Sequence, residues 1–568
     1  MDNKYLISQT YELIDAAAFV NVKVDLQHPP VDPQQPEYSV YNGIVKQEFI
    51  ADNQKYRMLS YIPENYIPAG MMIMVLMDNG VKSESFLVNS HYRQCADKHG
   101  AVLLMIESPE GGWRPDQISI AVQYIDAAYA KVNLREYYGF QESSVSCLGI
   151  GAGAYVAMAY SLFRAERIAS CGTVGRIGFH ADLLDQLNEL YTQKLEKSIS
   201  NQPLAIRMVD YSQEDEKLIA FLQRFYCSKK FIDEDGDVFY FSKNMTGFNW
   251  MGYEACESLC LASKNTEEKM CEFLATYKRF FADNMGRLMI TRSVKDMGLI
   301  HCEKVINGKR RHWLLYIPSS YKTGKKKSFP LVMAIPGYSC NDWYLAQISD
   351  WHVVGEKRDF FVVYPCAFPG STPSGCVPLP MWKSGEMYPN DREDNEIFLK
   401  KVVEDTCEKY PIDQSRIFVS GHSNGSKMTQ ELLCAYPGLF TAAAPIGFVC
   451  GELGTNLLRN IPDNVGPIWY IKGENDIGIA CDMDENLANQ GMINILCKIN
   501  HVSEKPVIYR NGKYESLIYY NENHVPVVKF TKVIDMPHAQ TPEMSLMIWD
   551  EFFSRFRRMP GGTVSYVW

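Results

Sequence analysis

Short apolar runs alternate with amphipathic segments along the 568 residues of this chain. An uninterrupted apolar run predicts a buried strand, and apolar residues spaced i, i+3, i+4 and i+7 predict a helix. The predicted strands of the two halves are, in chain order, 71–77, 101–106, 145–148, 331–335, 359–364 and 417–420. Predicted helices lie around 121–128 in the first half and 399–406 in the second. Strands that alternate with helices in this way predict a mostly parallel sheet with helices on both faces.

The two halves of the chain share one plan. Residues 56–66 resemble residues 311–321, an offset of 255 residues, and both segments contain the motif Tyr-Ile-Pro. An offset of this size is close to the length of one large α/β domain. We therefore predict two tandem α/β domains, residues 1–288 and residues 289–568.

The charge balance argues against two classes of partner. The chain carries 57 Lys and Arg residues against 67 Asp and Glu residues, a formal net charge of −10. Nucleic acids and anionic membranes are usually bound by a basic face, so we expect neither as a partner. A hydrophobic content of 46% is typical of a globular protein and excludes a disordered chain.

The N-terminus and the cysteines set further expectations. Residues 1–5 show no basic region leading into an apolar one, and no apolar run approaches the ~20 residues of a transmembrane helix. We therefore expect a cytoplasmic protein without a signal peptide. The sixteen cysteines form no C-x-x-C pair, so no metal site is expected. A disulfide, for instance between Cys366 and Cys376, stays open at this point.

The second half contains a candidate nucleophile between a predicted strand and a predicted helix. Gly421-His422-Ser423-Asn424-Gly425 fits the pattern G-x-S-x-G. The glycines suit a turn so tight that a Cβ on either flank would collide, and such a turn lifts the Ser423 hydroxyl clear of the sheet. The backbone N–H of Asn424 would then stand beside the hydroxyl as an oxyanion donor.

A serine hydroxyl needs a base and an orienting acid, and in nucleophile sites of this kind the acid precedes the histidine along the chain. The histidines after the serine are His501, His524 and His538. The acidic residues after the predicted strand 467–471 are Glu474, Asp476, Asp482 and Asp484. We favour Asp476 as the acid. We favour His538 as the base because it lies between the predicted strand 527–533 and a predicted helix.

Two further elements are predicted to line the site. Gly337 follows a predicted strand, and its conformational freedom would allow the N–H of Tyr338 to point inward as the second oxyanion donor. The proline- and aromatic-rich insertion 366–395 contains Trp382, which is a candidate, with His422, for the substrate pocket. The alternative, an insertion that only packs on the domain surface, stays open.

The first half keeps the shape of this corner but lacks its reactive residues. Segment 149–153 places Gly151 where the nucleophile belongs, and alignment of the halves sets Ser263 opposite His538. We therefore predict a degenerate, non-catalytic copy. A dinucleotide-binding fingerprint is the competing interpretation of these glycines, but the acidic residue required about 20 positions further on is not clearly placed. We expect no cofactor.

Residues 311–556 resemble the esterase family that includes polyhydroxybutyrate depolymerases, feruloyl esterases and acetyl xylan esterases. The matching motifs are Tyr316-Ile317-Pro318, residues 416–425, residues 435–444, Gly473-Glu474-Asn475-Asp476 and Pro537-His538. The resemblance implies an α/β-hydrolase fold, a triad of Ser423, Asp476 and His538, and no metal or organic cofactor. The family usually has His-Gly where this chain has Pro336-Gly337.

The favoured function is a serine esterase that hydrolyses carboxylic esters of a small molecule or a polymer through an acyl-enzyme intermediate. The resemblance implies aromatic or hydroxycinnamoyl, acetyl and hydroxyalkanoate esters as substrate classes. Two alternatives stay open: a serine peptidase or amidase that uses the same three residues, and a non-catalytic binding protein. Whether the chain forms a homo-oligomer also stays open.

Overall fold

The computed structural model contains two large mixed sheets, one of eleven strands in the first half and one of ten in the second. The residues that it describes are 18–27, 41–51, 54–133, 135–165, 167–178, 204–211, 215–223, 229–241, 258–262, 266–279, 288–324, 326–370, 379–383, 389–449, 465–476, 487–502 and 505–567.

The first sheet is parallel at its centre and antiparallel at both edges. Its strands are β1 (Ala18–Gln27), β2 (Asn42–Ala51), β3 (Gln54–Ile62), β4 (Gly70–Leu76), β5 (Val102–Ile106), β6 (Phe140–Ile150), β7 (Ile168–Val174), β8 (Ala205–Val209), β9 (Lys229–Ile232), β10 (Val238–Phe241) and β11 (Ser258–Ala262). They lie in the order β1-β2-β3-β5-β4-β6-β7-β8-β11-β10-β9. The helices within the described residues of this half are Ser83–Asn89, Tyr92–His99, Ile118–Asn133, Ala152–Phe163, Glu216–Gln223 and Glu267–Thr276.

The second half repeats this arrangement. The remaining strands of the chain are β12 (Tyr277–Arg279), β13 (Leu288–Ile290), β14 (Leu299–Ile306), β15 (Lys309–Tyr316), β16 (Phe329–Ile335), β17 (Phe361–Pro365), β18 (Pro369–Gly370), β19 (Leu379–Pro380), β20 (Ile412–His422), β21 (Ala442–Ile446), β22 (Ile468–Gly473), β23 (Val507–Asn511), β24 (Tyr514–Tyr520), β25 (Pro526–Val533), β26 (Phe556–Arg558) and β27 (Val564–Tyr566). In the described part of this half the helices are Ser319–Lys322, Asp342–Ser349, Trp351–Arg358, Pro389–Lys409, Asn424–Ala435, Leu487–Ile499 and Pro542–Glu551. Every residue of β16 is buried, as expected for a central parallel strand covered on both faces.

The two sheets have the same topology. The second sheet runs β14-β15-β17-β16-β20-β21-β22-β25-β24-β23, which matches the first sheet strand for strand from β2 to β9. Parallel and antiparallel pairings also agree at every position: β4 and β6 are parallel, as are β16 and β20. This topology confirms the predicted fold class of two tandem α/β-hydrolase-like domains. The predicted boundary between residues 288 and 289 stays a prediction.

Two predicted helices are shorter in the structure. The pattern over 266–282 predicts one helix, but the helix ends at Thr276 and the chain continues as β12. Residues of this strand pair with β13, and Arg279 donates from Nε to the carbonyl of Ile168 in β7 at 2.7 Å, so their partners are groups far away in the sequence instead of the next helical turn. The helix predicted after β25, over residues 543–556, ends at Glu551; Phe553–Arg555 then form a short 3-10 turn, and Phe556–Arg558 pair as β26 with β27.

The structure also places one disulfide. Cys95 and Cys271 join the helices Tyr92–His99 and Glu267–Thr276 across 176 residues of sequence. Cys366 is buried, with its Sγ 3.6 Å from the Ala367 carbonyl oxygen, and Cys376 lies outside the described residues. Within the described ranges, every helix is too short or too polar to cross a bilayer.

The two halves contact each other directly. Gly139 packs so closely on the Leu379 side chain that a Cβ on this glycine would lie 2.5 Å from it. Lys278 is 1% exposed and places its Nζ 3.8 Å from the centre of the Trp343 ring. Side chains of the second half are therefore buried by groups of the first.

We expect a chain that begins at about residue 290 to unfold at a lower temperature than the full chain, or to aggregate. Trp343 and Leu379 would lose the first-half groups that cover them, and exposed apolar surface promotes association. Differential scanning calorimetry and light scattering on both chains test this expectation. A monomeric second half that melts at the temperature of the full chain would contradict it.

Candidate active site

Ser423 lies at a sharp turn between β20 and the helix Asn424–Ala435. Its backbone has φ 56° and ψ −116°, a conformation that non-glycine residues rarely adopt. The Ser423 N–H donates to the Ile446 carbonyl of the neighbouring strand at 2.9 Å, which holds the turn against the sheet. The serine remains partly exposed at the carboxyl edge of the central strands.

The turn depends on glycine at both flanks of the serine. A Cβ on Gly425 would lie 2.2 Å from the Ile335 carbonyl oxygen, and a Cβ on Gly421 would lie 2.3 Å from the Gly425 carbonyl oxygen. Backbone atoms cannot move aside as the end of a flexible side chain can. Steric clearance is therefore the physical reason for the G-x-S-x-G pattern.

A histidine and an aspartate meet from the loops that follow β25 and β22. His538 Nδ1 and Asp476 Oδ1 are 2.6 Å apart. The Asp476 side chain is fully buried, and the His538 side chain is 16% exposed. A buried carboxylate on Nδ1 fixes the orientation of an imidazole and leaves its Nε2 available for proton transfer.

The competing candidates lie elsewhere. Glu474 accepts a hydrogen bond from the Asp535 N–H at 3.1 Å and lies 3.5 Å from the Lys532 ammonium. His501 and His524 are exposed residues with positive φ. The structure thus places Asp476, and not Glu474, against His538. The other two acidic candidates, Asp482 and Asp484, lie outside the described residues.

His422 is buried beside His538, with ring centres 4.7 Å apart. Burial, and secondarily the proximity of His538, lowers the pKa of His422 well below its ordinary value, so this ring is neutral at pH 7. The His422 ring therefore places no positive charge beside His538. Gly447 has φ 78° and passes so close that a Cβ there would lie 3.1 Å from the His538 Cε1.

Two backbone N–H groups near Ser423, those of Tyr338 and Asn424, have no hydrogen-bond acceptor in the described part of the chain. Gly337 brings the Tyr338 loop against the serine, since a Cβ on this glycine would lie 3.2 Å from the Ser423 Cβ. Asn424 is the first residue of its helix, where N–H groups lack intrahelical partners and the helix dipole is positive. Both groups are available to bind a negatively charged oxygen.

The first half contains the same turn with a carboxylate in it. Gly151 has φ 58° and ψ −126°, close to the values of Ser423. The Asp78 Oδ1 accepts hydrogen bonds of 2.8 Å from the Asn79 N–H and of 2.8 Å from the Ala152 N–H. Two backbone N–H groups at this turn therefore converge on one carboxylate oxygen.

The two N–H donors of the first half correspond to the two unpaired donors of the second. Asn79 follows β4 as Tyr338 follows β16, and these strands are equivalent in the two sheets. Ala152 and Asn424 each open the helix after the turn. The first half thus shows where such a pair holds an oxygen anion.

Sequence reasoning missed Asp78. The signal that could have found it is the register of the two halves, which sets Leu76-Met77-Asp78 against Ile335-Pro336-Gly337. In the first half the Asp78 carboxylate stands where the second half has Gly337, and it lies directly beside Gly151, which replaces the nucleophile. This pattern indicates that the carboxylate fills the space between the two N–H donors. Ser263, the predicted counterpart of His538, lies outside the described residues.

Trp382 supports the site from behind instead of lining an open pocket, because its ring is enclosed at 1% exposure. Its Nε1 donates to the Pro336 carbonyl at 2.8 Å. Its backbone pairs with the Asn424 side chain: the Trp382 N–H donates to Oδ1 at 2.7 Å, and Asn424 Nδ2 donates to the Trp382 carbonyl at 3.0 Å. The tryptophan therefore ties together the two segments that carry the unpaired donors.

One group of potential metal ligands occurs among the described residues. His312, Asp342 and Cys366 place their ligand atoms within 4.8 Å of one another, and His312 Nε2 lies 3.6 Å from Asp342 Oδ2. Nitrogen, oxygen and sulfur donors of these types suit zinc. No sequence motif predicts this group, because its members come from three separate segments.

Comparison with known proteins finds esterases that are similar to part of the chain. No family model matches it. It is 31% identical to poly(3-hydroxyalkanoate) depolymerase C of Paucimonas lemoignei over 132 residues, which cover 23% of this chain and 30% of that protein. It is 33% identical to acetylxylan esterase A of Aspergillus awamori over 95 residues, 17% of this chain and 29% of that protein. It is 25% identical to feruloyl esterase B of Talaromyces funiculosus over 130 residues, 23% of this chain and 34% of that protein.

These similarities confirm the resemblance seen in the sequence. The chain spans about a third of the length of the curated relatives it matches. Among solved structures, an acetyl xylan esterase from Aspergillus awamori aligns over 45% of this chain and 99% of its own, at 16% identity and a TM-score of 0.36.

A serine at position 151 is not expected to create a second reactive site. A Cβ on Gly151 would lie 2.2 Å from the Asp78 Cγ, and this carboxylate already occupies both N–H donors. A fluorophosphonate probe, which reacts with activated serines, should leave the Gly151→Ser, Ser423→Ala double variant unlabelled. Mass spectrometry of tryptic peptides measures this, and strong labelling at position 151 would show that the first half is not a degenerate copy.

Proposed function

We propose that the second half hydrolyses carboxylic esters with Ser423 as nucleophile. The observation that carries the proposal is the pair of unpaired N–H groups of Tyr338 and Asn424 beside this serine. Their first-half counterparts each bond one carboxylate oxygen at 2.8 Å. This distance falls in the range of about 2.7–3.1 Å at which oxyanion donors act.

The first step is acylation. The Ser423 hydroxyl attacks the ester carbonyl while His538 Nε2 takes its proton. Asp476 holds Nδ1–H through the 2.6 Å contact and stabilises the imidazolium that forms. The neutral His422 ring packs beside this cation without adding positive charge.

Charge then develops on the carbonyl oxygen. The Tyr338 and Asn424 N–H groups donate to this oxygen, and the N-terminal dipole of the helix Asn424–Ala435 adds to the stabilisation. The imidazolium returns its proton to the leaving alcohol. A water molecule, activated by the same histidine, then hydrolyses the acyl-enzyme. Each step uses only groups of the chain and water.

The names of the relatives support a proposal for the substrate class. Their names specify a poly(3-hydroxyalkanoate), an acetylated xylan and a feruloyl ester. We propose that this chain acts on an ester of one of these types, in a small molecule or a polymer.

Replacement of Ser423 or His538 by alanine is expected to lower kcat for a short-chain aryl ester by about 10³-fold or more, because the nucleophile or its base is lost. His524→Ala, which changes an exposed histidine, is the matched control and should retain the wild-type rate. Release of the aryl alcohol is measured by absorbance, with circular dichroism to verify folding. Near-full turnover by Ser423→Ala would refute the nucleophile.

The same assay separates the alternative functions. Faster cleavage of aminoacyl anilides than of aryl esters by the wild type would favour a serine peptidase or amidase. A folded wild-type protein that neither turns over esters nor reacts with a fluorophosphonate at Ser423 would favour a binding protein.

The acid can be tested against its neighbour. Asp476→Asn should lower kcat by about 10³- to 10⁴-fold, because an amide on Nδ1 stabilises the wrong tautomer of His538. Glu474→Gln changes a nearby carboxylate in the same conservative way but leaves that contact intact, so its kcat should stay within about twofold of the wild type. Equal losses in the two variants would contradict the assignment of Asp476.

A further inference from the structure

The loop between β16 and the helix Asp342–Ser349, here called the oxyanion segment (residues 336–341), carries one of the two proposed oxyanion donors. Within it Ser339 has φ 56°, a conformation that costs free energy in a non-glycine residue and that surrounding contacts must hold. The Ser339 N–H donates to the Pro380 carbonyl at 2.9 Å, which ties this peptide group to β19. Contacts from within the second half therefore hold one side of the segment.

The first half holds the other side. Gln141, near the start of β6, is 4% exposed and donates from Nε2 to the Ser339 carbonyl at 3.3 Å and to the Cys340 sulfur at 3.6 Å. The Arg135 guanidinium lies 5.7 Å from the centre of the Tyr338 ring. Two side chains of the non-catalytic copy thus contact three consecutive residues of the oxyanion segment.

The elements on either side of this segment also rest on the first half. The Ser143 hydroxyl, on the same strand as Gln141, donates to the Tyr344 hydroxyl of the following helix at 3.1 Å. Gly139 packs on Leu379, the neighbour of Pro380 in β19. One stretch of the first half, residues 135–143, therefore contacts the oxyanion segment and both of its supports.

We propose that the first half positions the oxyanion segment of the second, and that Gln141 is a positioning residue for the Tyr338 N–H. With the Ser339 N–H bound to Pro380 and its carbonyl bound to Gln141, both peptide groups of Ser339 are held. The preceding residue, Tyr338, then has little freedom to turn its own N–H away from the reacting oxygen. This inference rests on the function proposed above.

The test removes the hydrogen-bond donor of Gln141 and keeps the volume of its side chain. Gln141→Met has a side chain of similar length that cannot donate to the Ser339 carbonyl. We expect kcat per active site to fall about 5- to 30-fold, part of the ~10²- to 10³-fold lost when an oxyanion donor is removed outright. KM should change by less than about twofold, because the Gln141 side chain is buried and bonds to Ser339 and Cys340. The affinity for phenylboronic acid, which forms a tetrahedral adduct on an active-site serine, should fall by a factor similar to that of kcat in calorimetry.

Two further variants control for folding. Tyr160→Phe also removes a buried hydrogen bond of the first half, the 3.1 Å bond to Asp126, but on a helix away from the oxyanion segment. This variant should keep the wild-type kcat and boronate affinity. Arg135→Gln, which changes a side chain that is 16% exposed, should lower kcat about two- to fivefold through loss of its contact with Tyr338.

Active-site titration with a fluorophosphonate separates the two proposals. Failure of the wild type to label at Ser423 would overturn the proposed function. The positioning role alone would be overturned by a different result. In that case the wild type labels at Ser423, but Gln141→Met and Arg135→Gln both keep the wild-type kcat per labelled site and the wild-type boronate affinity. If Gln141→Met does not fold, Arg135→Gln decides. A loss of kcat in Tyr160→Phe equal to that in Gln141→Met would also refute a specific role for Gln141.

Discussion

The second half depends on how closely the helix Asn424–Ala435 passes over the end of β16. A Cβ on Gly425 would lie 2.2 Å from the Ile335 carbonyl oxygen, so any other residue would push the helix away from the strand. This approach brings the strained Ser423, the first N–H of the helix and the Gly337 loop within a few ångströms of one another. A longer separation would take the proposed oxyanion donors out of reach of the reacting oxygen. The packing of one helix on one strand therefore decides whether the site can exist.

The same constraint operates in the first half, where no reaction is proposed. A Cβ on Gly153 would lie 2.1 Å from the Leu76 carbonyl oxygen, so glycine is required there for packing alone. The two copies then differ at a pair of facing positions. The second half has Gly337 opposite Ser423, and the first has Asp78 opposite Gly151. The space admits one side chain, and in the first half a carboxylate fills it and satisfies two N–H groups that would otherwise lack partners.

The two halves contact each other beside one of the proposed oxyanion donors. Its residues 135–143 lie against the oxyanion segment, and Lys278 lies against the Trp343 ring. An oxyanion donor must be held in place before the charge develops, because reorganisation during the reaction would consume the stabilisation it provides. A rigid neighbouring sheet can supply that restraint without any reactive group of its own.

The sequence by itself determined the repeat, the alternation of strands and helices, and the turn at Ser423, since each is encoded by residues close together along the chain. Apolar runs predicted the central strands to within a few residues, and two glycines predicted the sharp corner.

Tertiary structure decided the rest. Asp476 and Glu474 are two residues apart and chemically alike, and only the packing of two loops sets the first against His538. The sequence likewise did not predict the early end of the helix at Thr276, the Cys95–Cys271 bond or the contact of Gln141 with Ser339. The helix end, the disulfide and the Gln141 contact each depend on groups more than 100 residues apart, and the bond from the Ala152 N–H to Asp78 joins segments that follow two different strands. Such contacts form only when whole sheets pack, so no local pattern of hydrophobic and polar residues records them.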